Sequence, residues 1–409
     1  MSKRSSRERT IGIIGAGPSG VMTAIIAASS DKNNKIVLFD KRDILMTILP
    51  TGGKRCNLGY QEFDIKILAK YYPRGEKFLL SLFSRFSTKD TIEFFNKINV
   101  RTYAQYDMRI FPKTNSSKDV REKLIIELKK NKNIEYKREK VIDFKLIEDK
   151  NNKTKSKFIL TTDRKNEYTF ANIVLAAGGK NNLYDKISLL GGHKIVPLKP
   201  ALCSLRIKEE NFYKLSGLTL RNIRAKIGKK LITGDLLFSH NKLTGPLIYK
   251  ISSIFAYKEF PYSIYLNFTE YNIEELKNKI LNSKLNNSNK NIINIIAEYI
   301  PRSLGFVLLE YLNIDSNLKL NEISKKNINL ICEKIVNFEF SVIDSVKGDE
   351  VVTAGGISLE DINNKTLESK IIEGLYFVGE ILDIDGFTGG FNLQNCWTSG
   401  YIVGKALSS

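Results

Sequence analysis

The sequence contains only two histidines and four cysteines, and this scarcity limits what its side chains can do chemically. His193 and His240 are too few for a histidine-rich metal centre. The cysteines lie far apart and form no CxxC pair, so neither a metal site nor a redox dithiol is indicated. They are Cys56, Cys203, Cys332 and Cys396. We therefore expect reduced thiols, no bound metal, and chemistry that a cofactor supplies.

Long apolar segments are also absent. No run approaches the roughly 18 residues that cross a bilayer, and the first ten residues, MSKRSSRERT, lack the apolar stretch of a signal peptide. We therefore expect a cytoplasmic protein without a membrane partner. Arg and Ser in this segment are also typical of an organellar transit peptide, but Glu8 and the strand that follows directly favour an ordinary N-terminus.

Acidic residues are outnumbered by basic ones. The chain has 64 Lys and Arg against 44 Asp and Glu, a net charge of +20, which suits a polyanionic partner. The codon bias of an AT-rich genome is an alternative source of part of this excess. The distribution is uneven, because residues 340–409 hold 4 basic and 10 acidic side chains, a net of −6, while the remainder carries +26.

The segment GAGPSG supplies Gly15, Gly17 and Gly20 in the GxGxxG spacing. It follows an apolar strand at 11–14 and opens a helix from about 18 to 30. In such a βαβ unit the glycines allow a tight turn, close approach to a pyrophosphate, and packing of the helix on the strand. Asp40 ends the second strand twenty positions later, where an acidic side chain accepts hydrogen bonds from the adenosine ribose. These features predict a dinucleotide site.

The loop ILPTGGKRCNLG favours a flavin over a nicotinamide dinucleotide. It comes immediately after the second strand, whereas a nicotinamide enzyme would continue with further βα units. Its residues Arg55, Cys56 and Asn57 can wrap around the middle of an extended FAD. An ordinary polar loop is the alternative interpretation.

The C-terminal segment predicts the other half of the same site. The strand LYFVGE ends in Gly379 and Glu380, which can reach the ribityl chain or the pyrophosphate. The segment GFTGGFNLQ then opens a helix, and amides around Asn392 and Leu393 can direct a positive dipole at the electron-rich edge of the flavin ring. The alternative is that the glycines simply cap a helix.

Hydrophobic periodicity predicts the α/β class, with a Rossmann-type FAD-binding domain interrupted by an inserted β-barrel that carries a small helical subdomain. Residues 60–99 are expected to be helical with a cap at Ser87 or Thr88, a hairpin turn is expected at 148–156, and the Asn-rich tract 281–291 is expected to be a surface loop. The predicted domains are 1–194 and 353–409 for FAD binding, 195–268 and 336–352 for the barrel, and 269–335 for the helical subdomain.

The order and spacing of eight motifs resemble those of the BaiN/YhiN-type (RdsA-like) FAD-dependent oxidoreductases, which include enzymes described as aminoacetone oxidases. The motifs are GAGPSG, TGGKRCN, RIFP, LAAGG, GDLLFSHNKLTGP, VTAGGI, TLESK and GEILDIDGFTGGFNLQ. Three positions depart from the family pattern. Thr51 and Lys54 replace Ser and Gly. Cys396 stands where Ala is common, which argues against a catalytic role for this thiol.

The resemblance implies an NAD(P)H-driven flavoenzyme but leaves its substrate open. Similar proteins are linked to reduction of conjugated enones in steroid-like acids, to aminoacetone oxidation, and to reduction of a uridine in large-subunit ribosomal RNA. We favour the uridine, because ribosomal RNA is present in every cell and suits the positive charge. The alternatives are a small-molecule flavin oxidase or enone reductase, and a non-enzymatic flavin-containing RNA-binding factor.

Candidate residues follow from these motifs. Cys56, by analogy with other uridine reductases, and His240 are candidate proton donors, although a packing role for Cys56 and a structural hydrogen bond for His240 are alternatives. Arg109 and Phe111 are predicted to line the substrate entrance, with a packing role as the favoured alternative for Phe111. Arg224 and Lys226 form a basic stripe that could track RNA or face solvent. The predicted cofactor-binding residues are Gly15, Ala16, Gly17, Pro18, Ser19, Gly20, Asp40, Lys41, Gly53, Arg55, Cys56, Asn57, Val141, Ala177, Gly178, Gly179, Gly379, Glu380, Asp383, Gly390, Phe391, Asn392 and Leu393.

Overall fold

The structure is a computed structural model that describes residues 9–147, 157–346 and 348–408. Its strands are β1 (Arg9–Ile14), β2 (Asn34–Phe39), β3 (Gly59–Tyr60), β4 (Thr102–Ala104), β5 (Arg109–Pro112), β6 (Ile134–Lys137), β7 (Val141–Ile147), β8 (Lys157–Thr162), β9 (Glu167–Phe170), β10 (Asn172–Leu175), β11 (Ile195–Ala201), β12 (Leu205–Ile207), β13 (Thr219–Ile227), β14 (Lys230–Ser239), β15 (Lys242–Thr244), β16 (Tyr262–Asn267), β17 (Phe338–Ser345), β18 (Val352–Ile357) and β19 (Leu375–Phe377). The hairpin turn predicted at 148–156 lies outside the described residues.

The helices are α1 (Pro18–Ser30), α2 (Thr51–Lys54), α3 (Ile65–Ala69), α4 (Glu76–Phe83), α5 (Thr88–Lys97), α6 (Ser117–Lys129), α7 (Tyr184–Gly191), α8 (Pro246–Ile254), α9 (Ile273–Asn287), α10 (Ile292–Ile296), α11 (Arg302–Tyr311), α12 (Lys325–Val336) and α13 (Phe391–Ala406). The predicted cap at Ser87 is confirmed, because its backbone N–H and hydroxyl both donate to Asp90 at the start of α5. No helix in the described part of the chain is long and apolar enough to span a membrane.

The chain divides into two compact units, and the first comprises residues 1–199 and 352–409. Its central sheet has the order β19-β10-β1-β2-β6, and its paired strands are parallel. Strand β1 contributes fully buried Ile11 and Ile13, as expected for a parallel strand covered on both faces. Small sheets with the orders β3-β5-β4 and β7-β8-β9 lie in the same unit. The last strand in sequence, β19, therefore completes a sheet that the first strand begins.

Helices α1 and α13 bring the two ends of the chain into direct contact. A Cβ atom at Gly400 would lie 2.6 Å from the carbonyl oxygen of Ser19, and one at Gly404 would lie 2.6 Å from Cβ of Ile26. Because only glycine leaves room here, the two backbones approach much more closely than helices separated by larger side chains. The predicted meeting of the chain's two ends is thus confirmed, and α13 reaches the first turn of α1.

The second unit, residues 200–351, contains a closed barrel with the order β12-β15-β14-β13-β16-β17. Strand β13 alternates as predicted, because Ile223, Ala225 and Ile227 are buried while Lys226 is exposed. Helices α9 to α12 belong to the same unit. The α/β class, the Rossmann-type domain and the β-barrel that were predicted from the sequence are confirmed.

The expected surface loop at 281–291 is wrong over most of its length. Helix α9 runs from Ile273 to Asn287 and begins with a capping box between Asn272 and Glu275. Buried Leu276 and Ile280 lie on one face of this helix at a spacing of four residues. Packing of this face outweighs the low helix propensity of the asparagines.

Candidate functional site

The loop between β1 and α1 leaves an open space at one glycine and is tightly packed at two others. A Cβ atom at Gly15, whose φ is +113°, would lie 2.2 Å from the carbonyl oxygen of Ala176, and one at Gly20 would lie 1.9 Å from the carbonyl oxygen of Gly15. At Gly17 the nearest atom to a Cβ would be Oγ1 of Thr47, 3.7 Å away. Protein packing thus requires two of the glycines, whereas at Gly17 the free space fits an approaching phosphate group.

The N-terminus of α1 has the character of an anion site. Gly17 is its N-cap, Pro18 occupies the first turn, and no side chain caps the helix. Uncapped amides and the helix dipole together favour a phosphate at such a position. Ala16 and Ser19 are both buried within this loop, which leaves backbone atoms as the groups available to a ligand.

Asp40 is held at the end of β2 by backbone hydrogen bonds. The N–H of Ala16 donates to Oδ2 and the N–H of Arg42 donates to Oδ1, both at 2.9 Å. A carboxylate accepts about four hydrogen bonds, so two acceptor positions are left for hydroxyl donors. The geometry fits the ribose contact expected from the sequence.

A pocket of about 230 Å³ opens beside Asp40, and both predicted and unpredicted residues line it. The predicted ones are Gly15, Asp40, Lys41, Val141 and Ala177. The other lining residues were not predicted from the sequence, and the charged ones among them are Arg42, Glu139, Lys140 and Lys180. Four of the lining side chains, Lys41, Arg42, Lys140 and Lys180, are basic, so the pocket suits an anionic nucleotide.

Glu139 anchors the strand that borders this pocket. Its carboxylate accepts hydrogen bonds from Thr162 at 2.7 Å, Asn166 at 3.2 Å and Tyr168 at 3.1 Å. Burial alone would raise the pKa of Glu139, but these donors hold it below its ordinary value. A lone Glu within EKVIDF gave little signal in the sequence, because its partners lie more than 20 residues away.

The loop predicted to wrap around FAD contains several residues with left-handed backbone. Gly52, Gly53, Lys54 and Cys56 all have positive φ, and a Cβ at Gly53 would meet no atom within 4 Å. The next residue, Asn57, has a buried Oδ1 atom without a hydrogen-bond partner. A buried acceptor that no protein group satisfies can accept a hydrogen bond from a bound polar ligand.

Cys56 is enclosed by protein. Its side chain has no exposed surface, its N–H donates to the Thr51 carbonyl at 3.0 Å, and burial raises the pKa of its thiol to about 12. The thiol therefore keeps its proton at neutral pH and is closed off from solvent. Its role as a proton donor stays a prediction.

The end of β19 places two acidic side chains beside the N-terminal half of the site. Gly379, with φ +74°, lies against Ser19 and donates its N–H to Oγ of Ser399 at 3.0 Å. Glu380 accepts the N–H of Thr353 at 2.8 Å, and Gly179 also donates its N–H to this carboxylate. Burial raises the pKa of Glu380, so this carboxyl group is biased towards its protonated form.

Asp383 resembles Asn57 in having an unused buried acceptor. Its Oδ1 atom is buried without a hydrogen-bond partner, and burial raises the pKa of its carboxyl group. The neighbouring Asp385 is fully buried and forms an ion pair with Arg74 through both guanidinium Nε and Nη2. Asp383 therefore fits a ligand hydroxyl, whereas Asp385 has a protein partner.

The start of α13 supplies a second uncapped helix N-terminus. Gly390 is its N-cap with φ +95°, and a Cβ there would lie 2.7 Å from both Oδ1 of Asn57 and the carbonyl oxygen of Gly59. The side chain of Asn392 closes the preceding loop through two 2.8 Å hydrogen bonds with the backbone of Gly386. The structure therefore brings Asn57 beside the start of α13, where the amides of Phe391 and Leu393 lie.

The other predicted site residues have distinct environments. Gly178 has open space where a Cβ would be. Arg109 forms an ion pair with Asp107 at 2.6 Å, and Phe111 is fully buried beneath it. In the second unit, His240 is exposed in the turn between β14 and β15.

The two cations of the basic stripe on β13, Arg224 and Lys226, have different surroundings. The guanidinium of Arg224 donates to the backbone carbonyls of Thr269, Glu270 and Tyr271, the shortest of these bonds being 2.6 Å. Lys226 projects from the exposed face of the strand. Arg224 thus ties β13 to the start of the helical segment, and Lys226 is the better placed of the two for contact with RNA.

Comparison with known proteins places this geometry in a family. The sequence profile of the HI0933-like protein Rossmann domain matches residues 9–406, and the chain belongs to this family. It is a family of FAD-dependent oxidoreductases, so the predicted resemblance and the predicted cofactor class are confirmed.

Curated relatives cover nearly the whole chain. A 3-dehydro-bile acid delta(4,6)-reductase from Clostridium scindens is 28% identical over 413 residues, 97% of this chain and 98% of the relative. Ribosomal RNA dihydrouridine synthases from Haemophilus influenzae and Escherichia coli are 26% and 25% identical, each over 97% of this chain and at least 97% of the relative. Among solved structures, a 3-ketosteroid delta1-dehydrogenase from Sterolibacterium denitrificans is similar, with a TM-score of 0.51 and 11% identity. The similarity covers 98% of this chain and 99% of that one, and it concerns the fold alone.

Proposed function

We propose that this protein is an NAD(P)H-driven, FAD-dependent reductase of a conjugated carbon-carbon double bond, and that its substrate is a uridine of large-subunit ribosomal RNA. The product would be dihydrouridine. The uracil C5=C6 bond is conjugated with the C4 carbonyl, so reduction delivers a hydride to C6 and a proton to C5. NAD(P)H supplies the two electrons and leaves as NAD(P)⁺.

The observation that carries the cofactor assignment furthest is the pair of orphaned acceptors on Asn57 and Asp383. Both are buried oxygens without a hydrogen-bond partner in the protein. Asn57 lies beside the uncapped N-terminus of α13, and Asp383 follows the end of β19. Hydroxyl and imide N–H donors, which FAD carries, would satisfy them. Bound FAD would supply the hydride once NAD(P)H had reduced it. The open space at Gly17 and the carboxylate of Asp40 would hold its pyrophosphate and adenosine ribose.

Glu380 and Asp383 are suited to hold protons beside a reduced cofactor. Burial raises the pKa of both groups, which lowers the negative charge that they place next to an electron-rich ring. The start of α13 contributes the opposite sign, because its dipole and uncapped amides favour negative charge at their end. This combination would stabilise electrons stored at the site without a metal ion.

The names of the curated relatives support a reductase acting on an enone-like bond. A delta(4,6)-reductase and a dihydrouridine synthase both saturate a carbon-carbon double bond next to a carbonyl. The net charge of +20 favours the RNA substrate over a small acid, since RNA binding requires cations that neutralise phosphates. An rRNA substrate also agrees with the cytoplasmic location expected from the sequence.

A second candidate is reduction of a conjugated enone in a steroid-like acid. The 28% identity to the bile acid reductase favours it. Such a substrate would not need the basic surface, and exposed lysines such as Lys226 would then have no part in binding.

Mass spectrometry of dihydrouridine in large-subunit rRNA tests the proposal, using cells with and without the gene. We expect the modification to disappear on deletion and to return with the intact protein. Gly17→Glu places a carboxylate in the predicted phosphate position and should not restore it, although a Cβ at this position meets no protein atom closer than Oγ1 of Thr47. Equal thermal stability of flavin-free Gly17→Glu and flavin-free wild-type protein would show that the variant folds.

A dihydrouridine level that does not change on deletion would refute the rRNA substrate. The purified protein then separates the alternatives, because a reductase bleaches with NADH or NADPH under anaerobic conditions and regains colour when an enone acceptor is added. Oxygen consumption with an amine or ketone and no bleaching by NAD(P)H would indicate an oxidase. Full rescue of a deletion phenotype by Gly17→Glu would favour the non-enzymatic RNA-binding factor.

A further inference from the structure

The hairpin between β4 and β5 carries the most exposed aromatic side chain among the described residues. Tyr106 is 94% exposed and occupies the four-residue turn 105–108. The turn is closed by two backbone hydrogen bonds, from the N–H of Gln105 to the Arg109 carbonyl at 2.8 Å and from the N–H of Met108 to the Gln105 carbonyl at 2.9 Å. Turns of this kind favour small polar residues, so local geometry gives no reason for a large ring here.

Other exposed apolar side chains lie next to this tip. The N–H of Gln61 donates to the carbonyl of Met108 at 2.7 Å, so the segment after β3 runs alongside the turn. Phe63 is 55% exposed and Met108 is 37% exposed. We call these exposed apolar residues, Phe63 of the segment after β3 and Tyr106 and Met108 of the turn, the hairpin lip.

The lip is bordered by Lys54 and Arg55, two cations whose described contacts include no acidic group. The guanidinium of Arg55 lies 4.0 Å from the centre of the Phe111 ring and donates to the Gly52 carbonyl and the Gln105 side chain, all of them neutral groups. Lys54 is exposed beside it. Three carboxylates are also near the lip. Asp107 pairs with Arg109, which holds the pKa of Asp107 below its ordinary value although burial alone would raise it, and Glu62 and Asp64 flank Phe63 in the sequence.

The sheet that carries the lip also adjoins the flavin-facing helix. Strand β3 pairs with β5, and the carbonyl of Leu58 accepts a hydrogen bond from Nε1 of Trp397 in α13 at 3.0 Å. Gly59 lies against Gly390 at the start of α13. A polymer bound at the lip would therefore be held one strand away from the proposed site of hydride transfer.

We propose that the hairpin lip binds the unpaired RNA strand next to the target uridine, an inference that rests on the proposed function. A base would stack on Tyr106, and phosphates would lie near Lys54 and Arg55. Exposed aromatic rings flanked by cations are the usual platform for single-stranded RNA, because every base has a face that stacks and each phosphate carries a charge. The cationic border favours RNA over a second copy of this chain, whose net charge is also positive.

Anisotropy of fluorescein-labelled U20 oligonucleotide, measured with the FAD-loaded protein, tests the lip directly. Loss of one base stack is expected to weaken binding by roughly tenfold in Tyr106→Ala, whereas Tyr106→Trp should bind within about twofold of the wild type. Phe306→Ala is the matched control, because Phe306 is an exposed aromatic of the second unit, outside the lip. Unchanged binding by Tyr106→Ala, or an equal loss in Phe306→Ala, would overturn the inference.

Turnover of an unmodified large-subunit rRNA transcript separates this inference from the proposed function. The lip predicts that Tyr106→Ala raises KM about tenfold with little change in kcat or in the rate of flavin bleaching by NAD(P)H. A wild-type protein that makes no dihydrouridine would refute the proposed function. RNA binding at the lip would then still be confirmed or refuted by the U20 anisotropy measurement. If Tyr106→Ala converts a dimer to a monomer without loss of U20 binding, the lip is an interface between two copies of this chain, and the inference that it binds RNA is wrong.

Discussion

Replacing Arg74 by Met is expected to destabilise the unit formed by residues 1–199 and 352–409. The Asp385 side chain is fully buried and that of Arg74 is 13% exposed. An exposed ion pair contributes less than about 1 kcal/mol, but removing one partner of a buried pair leaves an uncompensated charge and costs about 3–5 kcal/mol. We expect about 3 kcal/mol, because the partial exposure of Arg74 gives water some access to the carboxylate.

Trp397 makes this loss measurable. It is the single tryptophan of the chain, it is fully buried, and its ring packs against Phe95 with centroids 5.2 Å apart. Its fluorescence during urea unfolding therefore reports on the first unit. Arg138→Met is the matched control, since Arg138 pairs with Asp43 at 3.2 Å while both side chains are more than half exposed, and it should change stability by less than about 0.5 kcal/mol.

Two results would refute this reasoning. One is a loss for Arg74→Met no larger than that for the exposed control. The other is an equal loss when Arg74→Met is introduced into an Asp385→Asn background, because the double-mutant cycle would then show no coupling between the two side chains. If the reasoning holds, Arg74→Met should also be purified with less FAD, since Asp385 lies between Asp383 and the loop that leads to α13.

Three further predictions concern other contacts. Burial raises the pKa of Asp383, so the stability linked to its protonated form is complete below pH 3.8 and is lost as pH rises through the folded-state pKa. Asp383→Asn should therefore raise the Tm of the flavin-free protein at pH 7 but not below pH 3.8, as thermal melts would show. The same variant should bind FAD more weakly, as flavin titration would show. Gly400→Ala should cost about 1–3 kcal/mol in urea unfolding, because its Cβ meets the Ser19 carbonyl at 2.6 Å, and an unchanged midpoint would contradict the packing argument. Arg224→Met should destabilise the barrel unit by about 1 kcal/mol, because it removes hydrogen bonds to backbone carbonyls. Lys226→Met should leave stability unchanged and reduce the slope of log affinity for U20 against log salt concentration by about one. The opposite pattern would make Lys226 the structural residue and Arg224 the RNA contact.

The parts of the fold that could be predicted are those whose signals are local in sequence. GxGxxG between an apolar strand and an Ala-rich helix predicts a βαβ unit, and Asp40 is twenty residues from Gly20. Alternation in β13 likewise specifies which face is buried, since successive side chains of a strand point to opposite sides. In each case the residues that decide the structure are near neighbours in the chain.

The unpredicted features depend on partners that are distant in sequence. Arg74 and Asp385 are 311 residues apart, and Glu139 is held by donors 23 to 29 residues away. The burial of Cys56 depends on the whole core around it, which a reactive-looking loop sequence does not reveal. Helix α9 illustrates the same point, because Leu276 and Ile280 extend it through an Asn-rich tract by packing rather than by propensity.

The close contact of α1 with α13 has a consequence for biosynthesis. Strand β19 completes a sheet that β1 and β2 begin at residues 9–39, and β19 with α13 would complete the cofactor site proposed there. Chains grow at about 5–20 residues per second, so the N-terminal half waits roughly 20 to 70 s for residues 375–406. The barrel unit can fold during that interval, because its strands are contiguous between 200 and 351. If the proposed site holds FAD, its loading is expected to be a late event, and a nascent chain that stalls before α13 would leave the central sheet without β19 and open to chaperones and proteases.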